Sequence, residues 1–154
     1  DAINKGIKME DGFQFRGLVT IRINDKIVQV IKNLVVDSGI AFIISRLKDS
    51  SADTMSHMAV GTGIAAPAAA DTALGTEAGR VTLASSVTDG SKIIYVASFP
   101  AGTATGALTE AGIFSASSGG TMLCRTVFAV VNKSQADPMS ITWQVNANVE
   151  RVSG

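Results

Sequence analysis

The residues best suited to covalent chemistry lie in one stretch, EAGIFSASSGGTMLCRTVF, which runs from Glu110 to Phe128. It holds the only cysteine of the chain, Cys124, followed by Arg125, whose positive charge could lower the pKa of a nearby thiol. The apolar residues around Cys124 indicate a strand, however, and adjacent side chains of a strand point to opposite faces. We therefore interpret Cys124 as a buried residue that packs like a small apolar side chain.

The other parts of a reactive site are sparse. His57 is the only histidine, so a Cys–His or Ser–His–Asp site would have to use it, and the sequence does not supply the several ligands of a zinc site. We interpret His57 as a residue of a strand edge or loop. The glycine-rich segments GTG at 61–63 and SGG at 118–120 match neither GxxxxGK[ST] nor GxGxxG. We predict no catalytic residue, no cofactor and no metal.

Paired carboxylates are a further possibility, because glycoside hydrolysis uses two of them. The candidates lie at loop or strand ends: Asp71, Glu77, Glu110 and Asp137. Glu110 stands among small residues before an apolar run, which indicates partial burial. Because a buried carboxylate needs partners, we predict that Glu110 is held by Arg125, by Arg80 or by backbone N–H groups. The expected result is a structural ion pair between Glu110 and Arg125.

Composition indicates an assembly component. The 154 residues are expected to form one domain with a single core. The formal net charge is zero, so the charge balance does not favour nucleic acid. Only 17% of the residues are charged and 46% are apolar, and a surface so poor in charge usually lies against other molecules.

Membrane insertion and secretion are not expected. No apolar run approaches the ~20 residues that span a bilayer. The first residues, DAINKGIKMED, lack the apolar stretch of a signal peptide. One cysteine cannot form an internal disulfide, so folding would not need an oxidising compartment. We expect a soluble protein made in the cytoplasm.

The first third of the chain predicts an arm, a hairpin and a helix. Residues 1–16 are expected to form an extended arm, in which Phe13 and Phe15 alternate with polar residues. Strands at 17–23 and 26–32 would be joined by a tight turn at Asn24-Asp25. A helix is predicted from Asp37 or Ser38 to about Lys48. Its apolar stripe would contain Ile40, Ile43, Ile44 and Leu47.

The remainder predicts short antiparallel strands. After a strand at 55–60, the small residues from 61 to about 80 indicate a long surface loop. Further strands are predicted at 81–88, 91–99, 108–114, 121–131 and 139–149, the first two joined across Asp89-Gly90. The last strand alternates most clearly, with apolar residues at every second position around Trp143. These elements predict a mainly β domain at 17–154, an antiparallel β-sandwich or jelly-roll-like barrel with one short helix.

Four phrases occur in a characteristic order. They are NLVVDSGIAFIISRL at 33–47, HMAVGTGIAAPAAADTALGTE at 57–77, LTEAGIFSASSGGTMLCRTVF at 108–128 and SITWQV at 140–145. In this order they resemble a family of small structural proteins of tailed bacteriophages. The resemblance covers roughly residues 33 to 147, and Ile64 stands where that family usually has a threonine.

The resemblance implies a non-enzymatic β-sandwich component of a phage particle. The leading hypothesis is a capsid decoration or cement protein on the outer surface of the virion, made in the host bacterial cytoplasm. Its partners would be the major capsid protein and copies of itself in a dimer or trimer, with no nucleic acid, membrane or small-molecule substrate. Candidate partner contacts are Phe13, Phe15, Ile64, Pro67 and Pro138.

Two alternatives fit the same sequence. The same sandwich could be a tail, baseplate or fibre-attachment protein, in which case tail proteins would be its partners. A carbohydrate-binding or carbohydrate-cleaving module would need exposed aromatic side chains beside paired acids. With one tryptophan and one tyrosine, both in strand patterns, the sequence offers little surface to stack on a sugar.

Overall fold

A computed structural model describes the backbone of residues 12–50 and 53–150 and the side chains of residues 14–50 and 53–147. These residues form nine strands and one helix. Their bounds are β1 Gly12–Ile23, β2 Lys26–Val35, α1 Asp37–Lys48, β3 His57–Gly61, β4 Glu77–Thr82, β5 Ser85–Asp89, β6 Lys92–Phe99, β7 Gly106–Phe114, β8 Met122–Lys133 and β9 Met139–Glu150. The predictions of a mainly β fold and of a helix at 37–48 are confirmed.

The nine strands form one curled antiparallel sheet in the order β4-β3-β7-β8-β2-β1-β9-β6-β5. Strand β2 connects the two parts of this sheet, because it pairs with a different strand on each side. The residues from Lys26 to Asn33 belong to the part of β2 that pairs with β1, whereas Leu34 and Val35 pair with β8. We call β5, β6, β9 and β1 the front half, and β4, β3, β7 and β8 the rear half. The inner faces of both halves share one apolar core, so this half-barrel agrees with the predicted sandwich or barrel class.

The first hairpin turn forms where the sequence predicted it. Asn24 and Asp25 have φ angles of 49° and 65°, which is the backbone of a two-residue turn that matches the twist of the strands. The second hairpin is shifted by one residue. Asp89 pairs with Lys92, so its turn residues are Gly90 and Ser91 rather than Asp89 and Gly90.

The prediction of one strand at 81–88 is wrong. Strand β4 ends at Thr82, and β5 begins at Ser85 after a two-residue break. The break exists because the chain changes partner here: β4 pairs with β3 in the rear half, and β5 pairs with β6 in the front half. The predicted loop at 61–80 is correspondingly shorter, because β4 already begins at Glu77.

The boundary of the predicted arm also differs. Residues 1–11 lie outside the described residues. Residues 12–16 are the beginning of β1, where Phe13 pairs with Val149 and Phe15 with Ala147. They join the sheet because β9 runs on to Glu150 and offers a backbone partner over this length.

Helix α1 turns a different side to the core than its apolar stripe predicts. Gly39 is buried against β8, and Phe42 and Ile43, one turn later, pack against the core. Ile44 and Leu47 are 56% and 81% exposed. A Cβ atom on Gly39 would lie 2.1 Å from the carbonyl oxygen of Leu123. This close approach fixes the rotation of the helix and leaves much of the stripe facing outward.

Gly39→Ala should therefore destabilise the protein, because the added methyl group meets a backbone oxygen that cannot rotate away. We expect the free energy of unfolding to fall by about 1–3 kcal/mol, as in other overpacked sites. Urea unfolding followed by the fluorescence of the buried Trp143 measures it. The exposed Leu47→Ala is the control and should change the free energy by less than about 0.5 kcal/mol. Equal effects of the two substitutions would contradict this account of the helix.

Candidate functional site

The buried carboxylate of Glu110 is the centre of the site. Glu110 lies in β7 and has no exposed surface. Its Oε2 accepts hydrogen bonds from the backbone N–H groups of Gly63 and Thr76, at 2.6 and 2.8 Å. Its Oε1 accepts one from the backbone N–H of Gly75 at 2.8 Å. The same oxygen accepts two from Arg125, from Nε at 3.2 Å and from Nη2 at 3.1 Å. The expected ion pair therefore forms, and backbone N–H groups complete it.

Arg125 joins a second carboxylate to this pair. Arg125 lies in β8 and its side chain is 3% exposed. Its Nη1 donates to Oδ2 of Asp71 at 2.9 Å. That oxygen also accepts the backbone N–H of Ala68 at 2.9 Å, which closes a turn. We call Glu110, Arg125 and Asp71 the Glu110 cluster; it connects β7, β8 and the segment between β3 and β4.

The cluster holds residues 62–76, which we call the 62–76 loop. Its two ends are joined by the bond from the N–H of Thr62 to the carbonyl of Thr76, at 2.9 Å. Further along, the N–H of Asp37 donates to the carbonyl of Ala69 at 2.8 Å. Both ends and the middle of the loop are thus fixed to the sheet or to the helix.

The glycines of GTG at 61–63 serve this loop and not a phosphate. A Cβ atom on Gly63 would lie 2.4 Å from Oε2 of Glu110, so only glycine lets the backbone N–H reach the carboxylate. Thr109 Oγ1 donates to the carbonyl of the same glycine at 2.8 Å. The peptide groups around Gly63 are therefore already engaged by β7.

The protonation state of Glu110 follows from its partners. Burial by itself raises the pKa of Glu110, because it removes the carboxylate from water. The hydrogen bonds from the three backbone N–H groups and from Arg125 act in the opposite direction, and the pKa is lowered from its ordinary value of 4.5. Glu110 is therefore ionised at neutral pH. A general acid or base must exchange its proton with a substrate, and this buried carboxylate is enclosed by its donors.

A second arginine fixes the connection between β7 and β8. The guanidinium carbon of Arg80 lies 3.8 Å from the centre of the Phe114 ring. Its Nη1 donates to the carbonyls of Ala116 and Gly119, at 2.8 and 2.9 Å. Its Nη2 lies 2.7 Å from Oε1 of Glu77. Arg80 therefore holds the SASSGG connection, whereas the partner of Glu110 is Arg125.

The other candidates for chemistry lie apart from the Glu110 cluster's ion pairs, each with its own surroundings. Cys124 is buried, and burial raises the pKa of its thiol well above the usual value. His57 is half-buried, with Nδ1 2.7 Å from the hydroxyl of Ser56. Asp137 accepts hydrogen bonds from the backbone N–H of Ser134 and from Nδ2 of Asn24, both at 3.1 Å. Within residues 12–50 and 53–150, no cluster of three His, Cys, Asp or Glu residues could hold a metal ion.

The predicted partner contacts differ in their exposure. Ile64 is 80% exposed and Pro138 is exposed, whereas Pro67 is half-buried. Phe15 packs partly buried against the core, so its ring is not a free anchor. The side chain of Phe13 lies outside the described residues. None of the helices in the described part of the chain is long and apolar enough to cross a membrane.

The sequence predicted backbone N–H groups as possible partners of Glu110 but not that Gly63, Gly75 and Thr76 supply them. It missed the second carboxylate bound by Arg125, that of Asp71. The available signal was the recurrence of glycine at both ends of an otherwise alanine-rich segment that contains one acid.

Comparisons with known proteins add no further residues: no family model, no curated protein and no solved structure matches this chain.

Glu110→Gln should be strongly destabilising, because the amide removes the negative charge opposite Arg125 and turns an N–H₂ group toward other donors. Breaking a buried ion pair from one side costs about 3–5 kcal/mol, and we expect a loss of this size in urea unfolding. The matched control is Glu77→Gln, which removes the negative charge of Glu77, the 37%-exposed ion-pair partner of Arg80. There the loss should stay below about 1 kcal/mol. Similar losses for both variants would show that the Glu110 cluster does not hold the fold.

The ionised Glu110 carboxylate should also make the stability of the protein depend on pH. The pKa of Glu110 is lower in the folded chain than its ordinary value of 4.5, so its ionised form stabilises the fold above this pH. That contribution is lost as the pH falls through the folded pKa. Between about pH 5 and pH 3, the wild type should therefore lose more unfolding free energy than Glu110→Gln. Parallel curves for the two proteins would contradict the assignment.

Proposed function

We propose that this protein is a non-enzymatic structural component of a tailed bacteriophage particle, a decoration or cement protein that bridges neighbouring major capsid subunits. The observation that carries the proposal is the Glu110 cluster. Gly63 and Asp71 come from one of the family-like phrases, and Glu110 and Arg125 come from another. In space these residues meet in one device that positions a surface loop. That residues of two such phrases meet in one cluster, and that the cluster holds an exposed loop, supports the proposal.

The surface of the protein also supports an assembly role. Ten large apolar side chains are exposed among the described residues: Leu18, Ile27, Val28, Val30, Ile40, Ile44, Leu47, Ile64, Val87 and Val130. Four of them lie on the hairpin of β1 and β2. Single exposed apolar side chains are common, so the four on this one hairpin, on a chain with 17% charged residues, are what support a surface that another polypeptide covers.

The proposed mechanism is mechanical reinforcement. A capsid filled with genome is under pressure from inside, and separating two subunits bridged by this protein would require breaking its contacts at the same time. Each contact can be small, because linked contacts reinforce one another. Copies of the chain would meet as a symmetric dimer or trimer. The low charge of the surface keeps the desolvation penalty of each contact small.

A carbohydrate module is less well supported. Sugar binding by stacking needs aromatic side chains at the surface, but Trp143 has no exposed area and Tyr95 is 6% exposed. The acids do not form an open pair either, because the Arg125 guanidinium lies between Asp71 and Glu110 and bonds both.

Quantifying the chain in purified particles tests the proposal. We expect hundreds of copies per particle, measured against the major capsid protein by quantitative mass spectrometry. Tens of copies in three-fold or six-fold rings would instead place the protein in the tail. Its absence from particles that contain all other virion proteins would overturn both. A cytoplasmic host protein quantified in the same sample is the control for contamination.

A further inference from the structure

Strand β5 is an open edge of the sheet. It stands last in the strand order and pairs with β6 on one side only. All of its residues, Ser85–Asp89, are exposed, so the described part of the chain leaves its other side open to solvent. Strand β4, at the opposite end of the order, lies against the segment before β7: a Cβ atom on Gly79 would lie 2.7 Å from that of Ala104. An open edge is a template for a further strand.

The register of the β5–β6 hairpin shows which backbone groups of β5 point outward. Its turn has two residues, so the closing pair, Asp89 and Lys92, exchanges both N–H···O bonds. Bonding alternates along an antiparallel strand, so Val87 bonds to β6 as well. The N–H and C=O groups of Ser86 and Thr88 therefore point away from β6. Among the described residues, no backbone group bonds to them.

These outward groups are complementary to the same groups of a second copy. If two β5 strands lie antiparallel about a two-fold axis at Val87, Ser86 of each copy faces Thr88 of the other, and four N–H···O bonds form. An axis at Ser86 would need the N–H of Ala84, which already donates to a carbonyl of β6 at 2.7 Å. An axis at Thr88 would need Gly90, a turn residue with a φ of 60°. The axis at Val87 uses the outward groups alone.

We propose that β5 of one copy pairs antiparallel with β5 of a second copy, so that the sheets of both copies continue through a symmetric dimer. The same surface serves both sides of this contact, which is therefore isologous and closes after two copies. The inference rests on the proposed function in that it names the surface at which copies of the chain meet.

The side chains of β5 suit this partner. Val87 is 55% exposed and would face the partner's Val87 in a non-hydrogen-bonded pair, where side chains approach most closely. Asp89 is the one charged residue of the strand, and it would face the partner's Ser85 rather than another acid. The strand contains no lysine and no proline, the residues that commonly prevent pairing at an edge. A second copy thus supplies the hydrogen bonds, an apolar contact at the centre and no like charges opposite one another.

Charges placed on the proposed axis test the pairing. Four hydrogen bonds and one valine contact form a small interface, so we expect a weak dimer that appears in sedimentation velocity between roughly 0.01 and 1 mM. Val87→Lys and Val87→Glu each place two like charges face to face, and each alone should dimerise at least about tenfold more weakly. An equimolar mixture of the two variants should restore the dimer, because unlike charges then face each other. Such a rescue requires that this residue faces its own copy.

The matched control is Val130→Lys. Val130 is 54% exposed and lies on β8, outside the proposed contact, so this variant should dimerise like the wild type. The fluorescence of the buried Trp143 checks that every variant is folded.

Disulfide cross-linking in air tests the register independently. Val87→Cys should give a linked dimer, because the Cα atoms of such a pair lie about 4.5 Å apart. Ser85→Cys alone should not, because it faces the partner's Asp89. A mixture of Ser85→Cys and Asp89→Cys should again give a linked dimer. Cys124 is buried and does not compete.

A wild type that stays monomeric, or a mixture of the charge variants that stays monomeric, would overturn the inference. A Val87→Lys variant that dimerises as well as the wild type would also overturn it, because another surface would then join the copies. If the inference fails but the chain is abundant in particles, the proposed function stands. If the dimer forms as described but the chain is absent from particles, the pairing stands and the proposed function fails.

Discussion

One buried negative charge organises the rear half of the molecule. A carboxylate without partners in a protein core costs several kcal/mol, and Glu110 is compensated only when the loop backbone and Arg125 both surround it. Three of its hydrogen bonds come from the backbone of Gly63, Gly75 and Thr76. If the loop moved away, the Glu110 carboxylate would lose these donors, which would destabilise the fold. A hydrophobic contact would tolerate sliding, whereas these bonds fix the loop in one position.

A second constraint is the divergence of the sheet at β2. The backbone ladder between β2 and β8 contains only Leu34 and Val35 of β2. The residues of β2 that precede Leu34 are connected to β8 by side-chain hydrogen bonds instead. Thr126 Oγ1 donates to the carbonyl of Lys32 at 3.0 Å, and the amide of Gln29 reaches the carbonyl of Ala129. The two halves can therefore curl toward each other around a common core. Helix α1 covers only part of the space between them, and an apolar cavity of about 270 Å³ lies between the helix and the inner face of the front half.

Local signals in the sequence identified most strands, the helix and the first turn. The alternation of β9 follows from burial of one face, and the Asn24-Asp25 turn follows from residues that tolerate positive φ. Alternation does not say which strand is the partner, so the exchange of partners after Thr82 was missed. The rotation of α1 depends on Gly39 meeting a carbonyl more than eighty residues later in the chain. Likewise, charge and burial predicted the Glu110–Arg125 pair and backbone donors for the carboxylate, but they did not predict which residues of the loop supply those donors.

These features together explain an unusual combination of properties. The exposed segment around Ile64 is apolar and rich in alanine, a composition that would ordinarily give a mobile loop with little affinity for anything. The Glu110 cluster removes that mobility, so in the proposed assembly a contact through this segment would lose less conformational entropy than a contact through a flexible loop. A protein that acts through many weak and equivalent contacts benefits most from such a loop, because the entropy saved in each contact adds up over all copies. The buried ionic groups of the Glu110 cluster thus fix the position of the exposed apolar residues around Ile64.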